Sequence, residues 1–417
     1  MTTKNNIPAG YKDSAVGIIP QEWEVTTLGK LVSITSGESP SLYNLQSSGK
    51  YPYVKVEDMN NCEKYQVFSR EYSDDEKGAI PKGSIIFPKR GAAIINNKVR
   101  IADCALYMDS NMMAITPNEY VCGDYLYFKI TFEKLYKIAD TSTIPQINNK
   151  HIIPYKLAVP PMGEQRKIAE ILGVWDEAIE KQSRLIERLE VRKRALMQRL
   201  LTGRVRLSGF TTPWQKIKLG EIGKFEKGAG VPKDKITSSG CKAITYGEIY
   251  TKYNYVINNF ASYIDEETAR ESKQISSGVI LFAGSGETLE DIGKCVAFID
   301  NDKAYAGGDI IIFNPTIEVD SLVLSYILNS PIAIAQKRRY GQGHSVVHIY
   351  QKDLARIEFE LPSLPEQKAI AEVLTTADNE IAIHRKKLDA LRIQKRGLMQ
   401  QLLTGITRVK IQETLKL

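Results

Sequence analysis

The segment GSGETLEDIGKC (Gly284–Cys295) offers glycines, hydroxyls and a lysine, the ingredients of a phosphate cradle. A cradle of the form GxxxxGK[ST] holds phosphates on glycine-rich backbone and magnesium on a terminal hydroxyl. Thr288 stands where the first glycine is required and Cys295 where the hydroxyl is required, so that chemistry is not supported. GAGV, GSGETL and GQGHSV each lack the third glycine of a dinucleotide-binding GxGxxG turn. The four histidines, His151, His344, His348 and His384, form no HExxH. His344 and His348 lie four apart in a glycine-rich loop with no third ligand nearby, so no metal site is expected. No Asn/Asp-Pro-Pro-aromatic tetrapeptide of the adenine-methylating type occurs; FNPT and LNSP do not qualify. Nothing in the spacing marks a nuclease cluster of carboxylates and lysine. The chain reads as a non-enzyme with no catalytic residues and no bound cofactor.

Polar loops remain, and their residue types suit a polyanion. Lys and Arg neutralise phosphates, while Arg, Lys, Asn, Gln, Ser, Thr and His reach base edges. In the first half, the loop PKRGAAIINNKVR packs cations and amides beside glycine. The candidates there are Lys55, Lys89, Arg90, Asn96, Asn97, Lys98, Arg100, Thr141, Ser142, Thr143 and Gln146. In the second half, QKRRYGQGHS combines cations, an aromatic ring and glycines. The candidates there are Lys227, Lys233, Lys235, Tyr246, Ser285, Lys337, Arg338, Arg339, Gln342, His344, Ser345 and His348. An isolated exposed cation is more often simply solvated, and His344 or His348 can equally be packed histidines. The two clusters therefore carry the expectation rather than any one residue.

Composition bounds the rest. A chain of 417 residues with 43% hydrophobic content builds two or three cored domains. No apolar run approaches the roughly 18 residues of a membrane span, and the opening MTTKNNIPAGYKDS has no secretory pattern. The cysteines Cys62, Cys104, Cys122, Cys241 and Cys295 stand singly, which fits a reducing cytoplasm and argues against zinc. A net charge of +7 permits a polyanionic partner without demanding one.

The elements that must position these loops come in duplicate. EQRKIAEILGVWDEAIEKQSRLIERLEVRKRALMQRLLTG from Glu164 aligns without gaps to EQKAIAEVLTTADNEIAIHRKKLDALRIQKRGLMQQLLTG from Glu366, an offset of 202, with roughly 18 of 40 positions identical. Upstream, Thr143–Pro161 aligns at the same offset with Ser345–Ser363. The match then becomes patchy: Trp23, Leu28 and Gly29 answer to Trp214, Leu219 and Gly220, and GSIIFPKRG answers to GVILFAGSG. Short β-rich runs between Gly, Asn, Ser and Pro clusters predict mixed globules with dominant strand, and helices near the end of each, within residues 123–139 and 319–338. The fold class is α+β, without the alternation of a doubly wound sheet.

Each globule is followed by a heptad seam. The first copy places Leu172, Ile179, Ile186, Leu189, Leu196 and Leu200 on it, and the second places Leu374, Ile381, Leu388, Leu391, Leu398 and Leu402. Gly203 and Gly405 are stop signals. A lone helix of about 58 Å would leave this stripe in water, so each copy needs the other. Because the ends of a domain tend to lie together, the helices are expected to be antiparallel, a coiled coil with pseudo-twofold symmetry. On the seam, Gln182 is expected near Lys395 and Lys193 near His384. The segment after Gly405 mirrors that after Gly203 and is expected to return toward the first globule.

These phrases resemble a known family. VPPMGEQRKIAEIL and LPSLPEQKAIAEVL, with the repeated RxLMQxLLTG ends, resemble the specificity subunits of type I restriction-modification systems. So do the opening YKDSAVGIIPQEWEVTTLGKLVSITSGESPS and the segment GQGHSVVHIYQKDL. The resemblance spans essentially the whole chain. It implies a first target recognition domain over 1–160, a spacer helix over 161–204, a second recognition domain over 205–362, and a second helix with tail over 363–417. It further implies a cytoplasmic subunit that reads an asymmetric bipartite target in double-stranded DNA. Two methyltransferase subunits and two restriction (translocase) subunits would be the partners, carrying S-adenosylmethionine, ATP and Mg. The competing readings are a bivalent coiled-coil adaptor that binds proteins without reading DNA, and a specificity subunit serving a methyltransferase without a type I nuclease.

Overall fold

The heptad stripes fold as expected into two long helices, Met162–Leu200 of 39 residues and Leu364–Leu403 of 40 residues. A computed structural model describes residues 7–75, 78–141, 144–343 and 346–410. Gly203 and Gly405 follow the helix ends at positive φ, 66° and 77°, a conformation that lets the chain turn away where a side chain would be strained.

The chain divides into two compact units, Met1–Ser183 with Lys386–Leu417, and Arg184–Arg385. This differs from the linear segmentation read from the sequence, because each long helix contributes one half to each unit. The reason is the antiparallel pairing. In the first unit the start of the first helix lies along the end of the second, with Asp176 ion-paired to Lys395. In the second unit the end of the first helix lies along the start of the second, where Lys193 pairs with Asp378 and Arg192 with Glu380. Of the seam residues, Leu172, Ile186, Leu189, Leu200, Leu374, Ile381, Leu388 and Leu402 are buried. Ile179, Leu196, Leu391 and Leu398 are half-buried.

The polar members of the seam pair differently from expectation. Lys395 and Lys193 take carboxylates, Asp176 and Asp378, in place of Gln182 and His384. With Asp176 opposite Lys395, Gln182 lies six residues along its helix, about 9 Å away along the axis. An aspartate suits both positions because an ammonium largely removed from water, as those of Lys193 and Lys395 are, is compensated better by a full opposite charge than by a neutral amide or imidazole.

The first unit is built on a five-stranded sheet in the order Val32–Ser36, Met112–Pro117, Ile85–Pro88, Arg100–Ala102, Tyr65–Gln66. The second has a four-stranded sheet in the order Gly223–Lys227, Ile310–Pro315, Val279–Ala283, Cys295–Phe298. The first four strands correspond one to one, which is the patchy upstream repeat of the sequence made visible. Each unit adds a second sheet, of three strands in the first and four in the second. The expected helices also form. Gly123–Glu133 is one, ended at Lys134 by a φ of 70°. The segment 319–338 yields two helices, Ser321–Leu328 and Pro331–Tyr340, broken where Pro331 removes a backbone donor and Ser330 caps the second.

The repeated phrases LMQRLLTG and LMQQLLTG do more than close the seam. Met197, Leu200 and Leu201 join Ile370, Leu374 and the strands of the second unit in one core. Met399, Leu402 and Leu403 join Ile168, Leu172 and the strands of the first. The repeated Leu-Gly has a reason as well. Leu28 and Gly29 donate to the carbonyls of Tyr155 and Ile153, and Leu219 and Gly220 to those of Ile357 and Ala355. A Cβ at Gly220 would come within 2.9 Å of the Ala355 Cβ, so glycine allows the approach.

Candidate nucleic-acid interface and its mounting

Each globule is fastened to the long-helix segments of its own unit by the repeated Glu-Gln. Glu164 is fully buried and accepts from Trp23 Nε1 at 3.0 Å and from Arg408 Nε and Nη2 at 2.8 and 2.9 Å. Glu366 accepts from Trp214 Nε1 at 3.0 Å and from Arg206 Nε and Nη2 at 2.9 and 2.6 Å. The following glutamines staple the globule in the same way. Gln165 donates to Pro160 O at 2.9 Å and accepts from Cys122 N at 2.8 Å. Gln367 donates to Pro362 O at 2.9 Å and accepts from Asp320 N at 2.8 Å. A buried carboxylate is tolerable only with such a full set of donors. The chain after Gly405 thus returns to the first globule, as its mirror-image sequence suggested: Arg408 reaches Glu164 and Glu22, and Tyr11 Oη donates to Gly405 O at 2.8 Å. Sequence reasoning used the Glu-Gln as a signature and missed its role, which needs Trp and Arg from distant segments.

The candidate DNA contacts sort into groups. In the first unit Arg90, Asn96 and Thr141 are exposed, and Gln146 is half-buried. Arg90 and Gln146 are brought together as antiparallel neighbours. Lys55 pairs with Glu71 at 2.5 Å, and Lys98 donates to Asn60 Oδ1 at 2.6 Å. Lys89 is half-buried, and burial lowers its pKa. Asn97 and Arg100 depart from the expectation. Asn97 bridges Thr131 O and Leu135 N, and Arg100 spends its guanidinium on the carbonyls of Cys62, Val99 and Met59. Both hold the loop's shape; a loop rich in backbone carbonyls captures nearby donors before any phosphate does.

In the second unit Lys227, Lys233, Lys235, Tyr246, Arg338, Arg339, Gln342 and His348 are exposed. Lys337 is a correction. It is 1% exposed, donates to Gly293 O at 2.7 Å, and burial pushes its ammonium below the ordinary lysine pKa. Its place on the inner face of Pro331–Tyr340 turns it inward while Arg338 and Arg339 face out. Ser285 is buried and its Oγ lies 3.0 Å from His348 Nδ1. These two, with Lys227, Tyr350 and Lys352, line a cleft of about 370 Å³. Ser142, Thr143, His344 and Ser345 lie outside the described residues. Among the described residues no group of three or more His, Cys, Asp or Glu could hold a metal ion. No helix among them is long and apolar enough to cross a membrane.

The chain thus holds two α+β globules of like sheet order, each fastened to the helix segments of its own unit and each presenting polar loops. The model of the type I restriction modification DNA specificity domain matches the chain twice, over residues 20–191 and 212–392, and the chain belongs to that family. The type I restriction enzyme MjaVIII specificity subunit of Methanocaldococcus jannaschii is 24% identical, over 94% of each chain. The putative MjaX specificity subunit of the same organism is 28% identical over 96% of this chain and 97% of that one. The fold is that of the crystal structure of a type I restriction-modification S subunit from M. genitalium, with TM-score 0.59, 17% identity, and coverage of 97% of this chain and 99% of that one. A second structure, from work on assembly and conformational transition of a type I system, gives TM-score 0.58 at 16% identity over 93% and 99%.

Proposed function

We propose that this chain is the sequence-reading subunit of a type I restriction-modification complex, each globule reading one half of an asymmetric bipartite DNA target. The observation that carries this reading is the double match of the DNA-specificity domain, on two globules alike in sheet order and unlike in their exposed loops. Like frames with unlike loops suit two different half-sites. The helix pair sets the unspecific spacer and docks two methyltransferase subunits; two restriction subunits complete the assembly. S-adenosylmethionine, ATP and Mg belong to those partners, and the assembly works in the cytoplasm. Joining two readers on one scaffold raises the effective concentration of the second reader at its half-site once the first is bound. An adaptor that never reads DNA would have no use for that family's recognition domains.

Mapping adenine methylation in host DNA tests the function. The expected result is a bipartite, non-palindromic methylated motif that disappears when this chain is deleted. A deletion that leaves every methylated motif intact, with the partner subunits expressed, sinks the proposal.

The arginines in the last turn of the helix Pro331–Tyr340, which the sequence placed in a loop, have their own test as phosphate contacts. Arg338 is 46% exposed and only loosely paired, 3.8 Å from Glu290, and Arg339 is exposed beside it. Replacing both by alanine should weaken DNA binding and reduce the slope of log K against log salt by about 1.8, close to 0.9 for each phosphate no longer neutralised. A slope equal to that of the parent removes these arginines from the interface.

A further inference from the structure

Each unit carries the same small ribbon, built on the same backbone bonds. In the first, Asp140 and Gln146 exchange backbone bonds of 2.9 Å each, Ile147 N donates to Lys89 O at 3.0 Å, and Arg90 is bridged to Gln146. In the second, Gln342 and His348 exchange bonds of 2.9 and 2.7 Å, Ile349 N donates to Gly284 O at 3.0 Å, and Ser285 pairs with His348. Gln146 and His348 are separated by the repeat offset of 202, and so are Asp140 and Gln342.

The side chains on this common backbone all differ. Arg90, Asp140 and Gln146 stand where Ser285, Gln342 and His348 stand. At the same offset the mounting residues do not change: Glu164 and Glu366, Gln165 and Gln367, Asp176 and Asp378 are identical. The duplicated protein thus keeps what holds it together and varies what this ribbon displays. All six ribbon positions are polar, and Arg90, Asp140, Gln342 and His348 are exposed.

The geometry in the second unit is specific enough to assign roles. Ser285 is 8% exposed and meets His348 through Nδ1. That hydrogen bond fixes the ring and leaves Nε2 as the nitrogen for a ligand. The adjoining cleft of about 370 Å³ brings Lys227 and Lys352 beside it.

We propose that Gln146 and His348 are equivalent base-reading positions, one for each half-site. His348 uses Nε2 on a base edge, with Ser285 as its positioning residue. Gln146, whose Nε2 donates to Asn148 Oδ1 at 3.4 Å, has Arg90 as its backbone neighbour, and its amide with the Arg90 guanidinium suits the donor and acceptor pattern of purine edges in the major groove. The assignment rests on the DNA-reading function proposed above.

The test expresses the full chain with its methyltransferase subunits and sequences the methylated motif. His348→Gln and Ser285→Ala should both alter one and the same base position, confined to one half-site, with the preference for the parental base falling about tenfold or more. Gln146→His should alter one position in the other half-site. Parental base preference at every position in the His348→Gln and Ser285→Ala variants overturns the assignment, as does a change at unrelated positions or in both halves at once. Melting curves identify a variant that fails to fold, and His348→Asn then carries the test with the same two outcomes. If the parent protein itself directs no bipartite methylation, the failure lies with the DNA-reading function and not with these residues.

Discussion

The Glu164→Ala variant is expected to lose about 3 kcal/mol of unfolding free energy, the range for breaking a buried, hydrogen-bonded charge pair. Two effects add. Trp23, with no exposure, keeps its indole N–H in the interior without an acceptor. Arg408, which is drawn in by Glu164 and Glu22, loses the carboxylate that its Nε and Nη2 share. Glu164→Gln separates these effects. With the amide oxygen in the Oε2 position, Trp23 and Arg408 Nη2 keep their acceptor, while the charge and the bond from Arg408 Nε are lost; the destabilisation should be smaller than that of the alanine variant, which also orphans Trp23. Urea unfolding followed by far-ultraviolet circular dichroism measures both, since unfolding melts the long helices on which Glu164 stands. Equal midpoints for the alanine variant and the parent would show that the latch contributes nothing.

The second large effect is expected in the other unit. Asp378 accepts from Lys193 and from Tyr326 Oη, and Lys193 lies over the rings of Tyr255 and Tyr326, 4.2 and 5.3 Å from their centroids. Asp378→Ala leaves this ammonium, with its side chain only 10% exposed, against aromatic rings and no carboxylate. A cost of about 2 kcal/mol is expected, reduced from the fully buried case because the Asp378 side is 30% exposed. Adding Lys193→Met should recover most of the stability, because a methionine of similar length fills the space without a charge. The pH dependence has a definite sign. Burial already holds the Lys193 pKa below the ordinary value, and removing Asp378 lowers it further. Between that lowered value and the ordinary lysine range the unfolded chain binds more protons than the folded one. Asp378→Ala should therefore gain stability, relative to the parent, as pH rises toward about 10. A flat difference across that window, or a double variant no more stable than Asp378→Ala alone, counts against this account.

Local signals made the helices legible. Heptad spacing, the prolines near the helix starts and the glycines Gly203 and Gly405 act within a few residues of chain, so these local signals together located Met162–Leu200 and Leu364–Leu403 to within a few residues. The antiparallel direction followed from chain connectivity. The loop candidates were legible only as clusters. A lysine or arginine has the same letter whether it meets solvent or a carbonyl 44 residues away, as Lys337 does. The helical phase that turned Lys337 inward and left Arg338 outside depends on what packs against Pro331–Tyr340.

Repetition in the amino-acid sequence by itself determined that this protein is a doubled globule with paired helices, because a duplicated pattern survives translation into structure without help from distant segments; that the globules read DNA came from the resemblance of the repeated phrases to a known family. The tertiary structure alone decided what the repeated residues do. Glu164 meets Arg408, Lys395 meets Asp176, and Gln146 and His348 sit on matching ribbons because segments far apart in the chain converge there. Such meetings depend on burial and on the antiparallel register, which place donors beside acceptors that no local spacing relates.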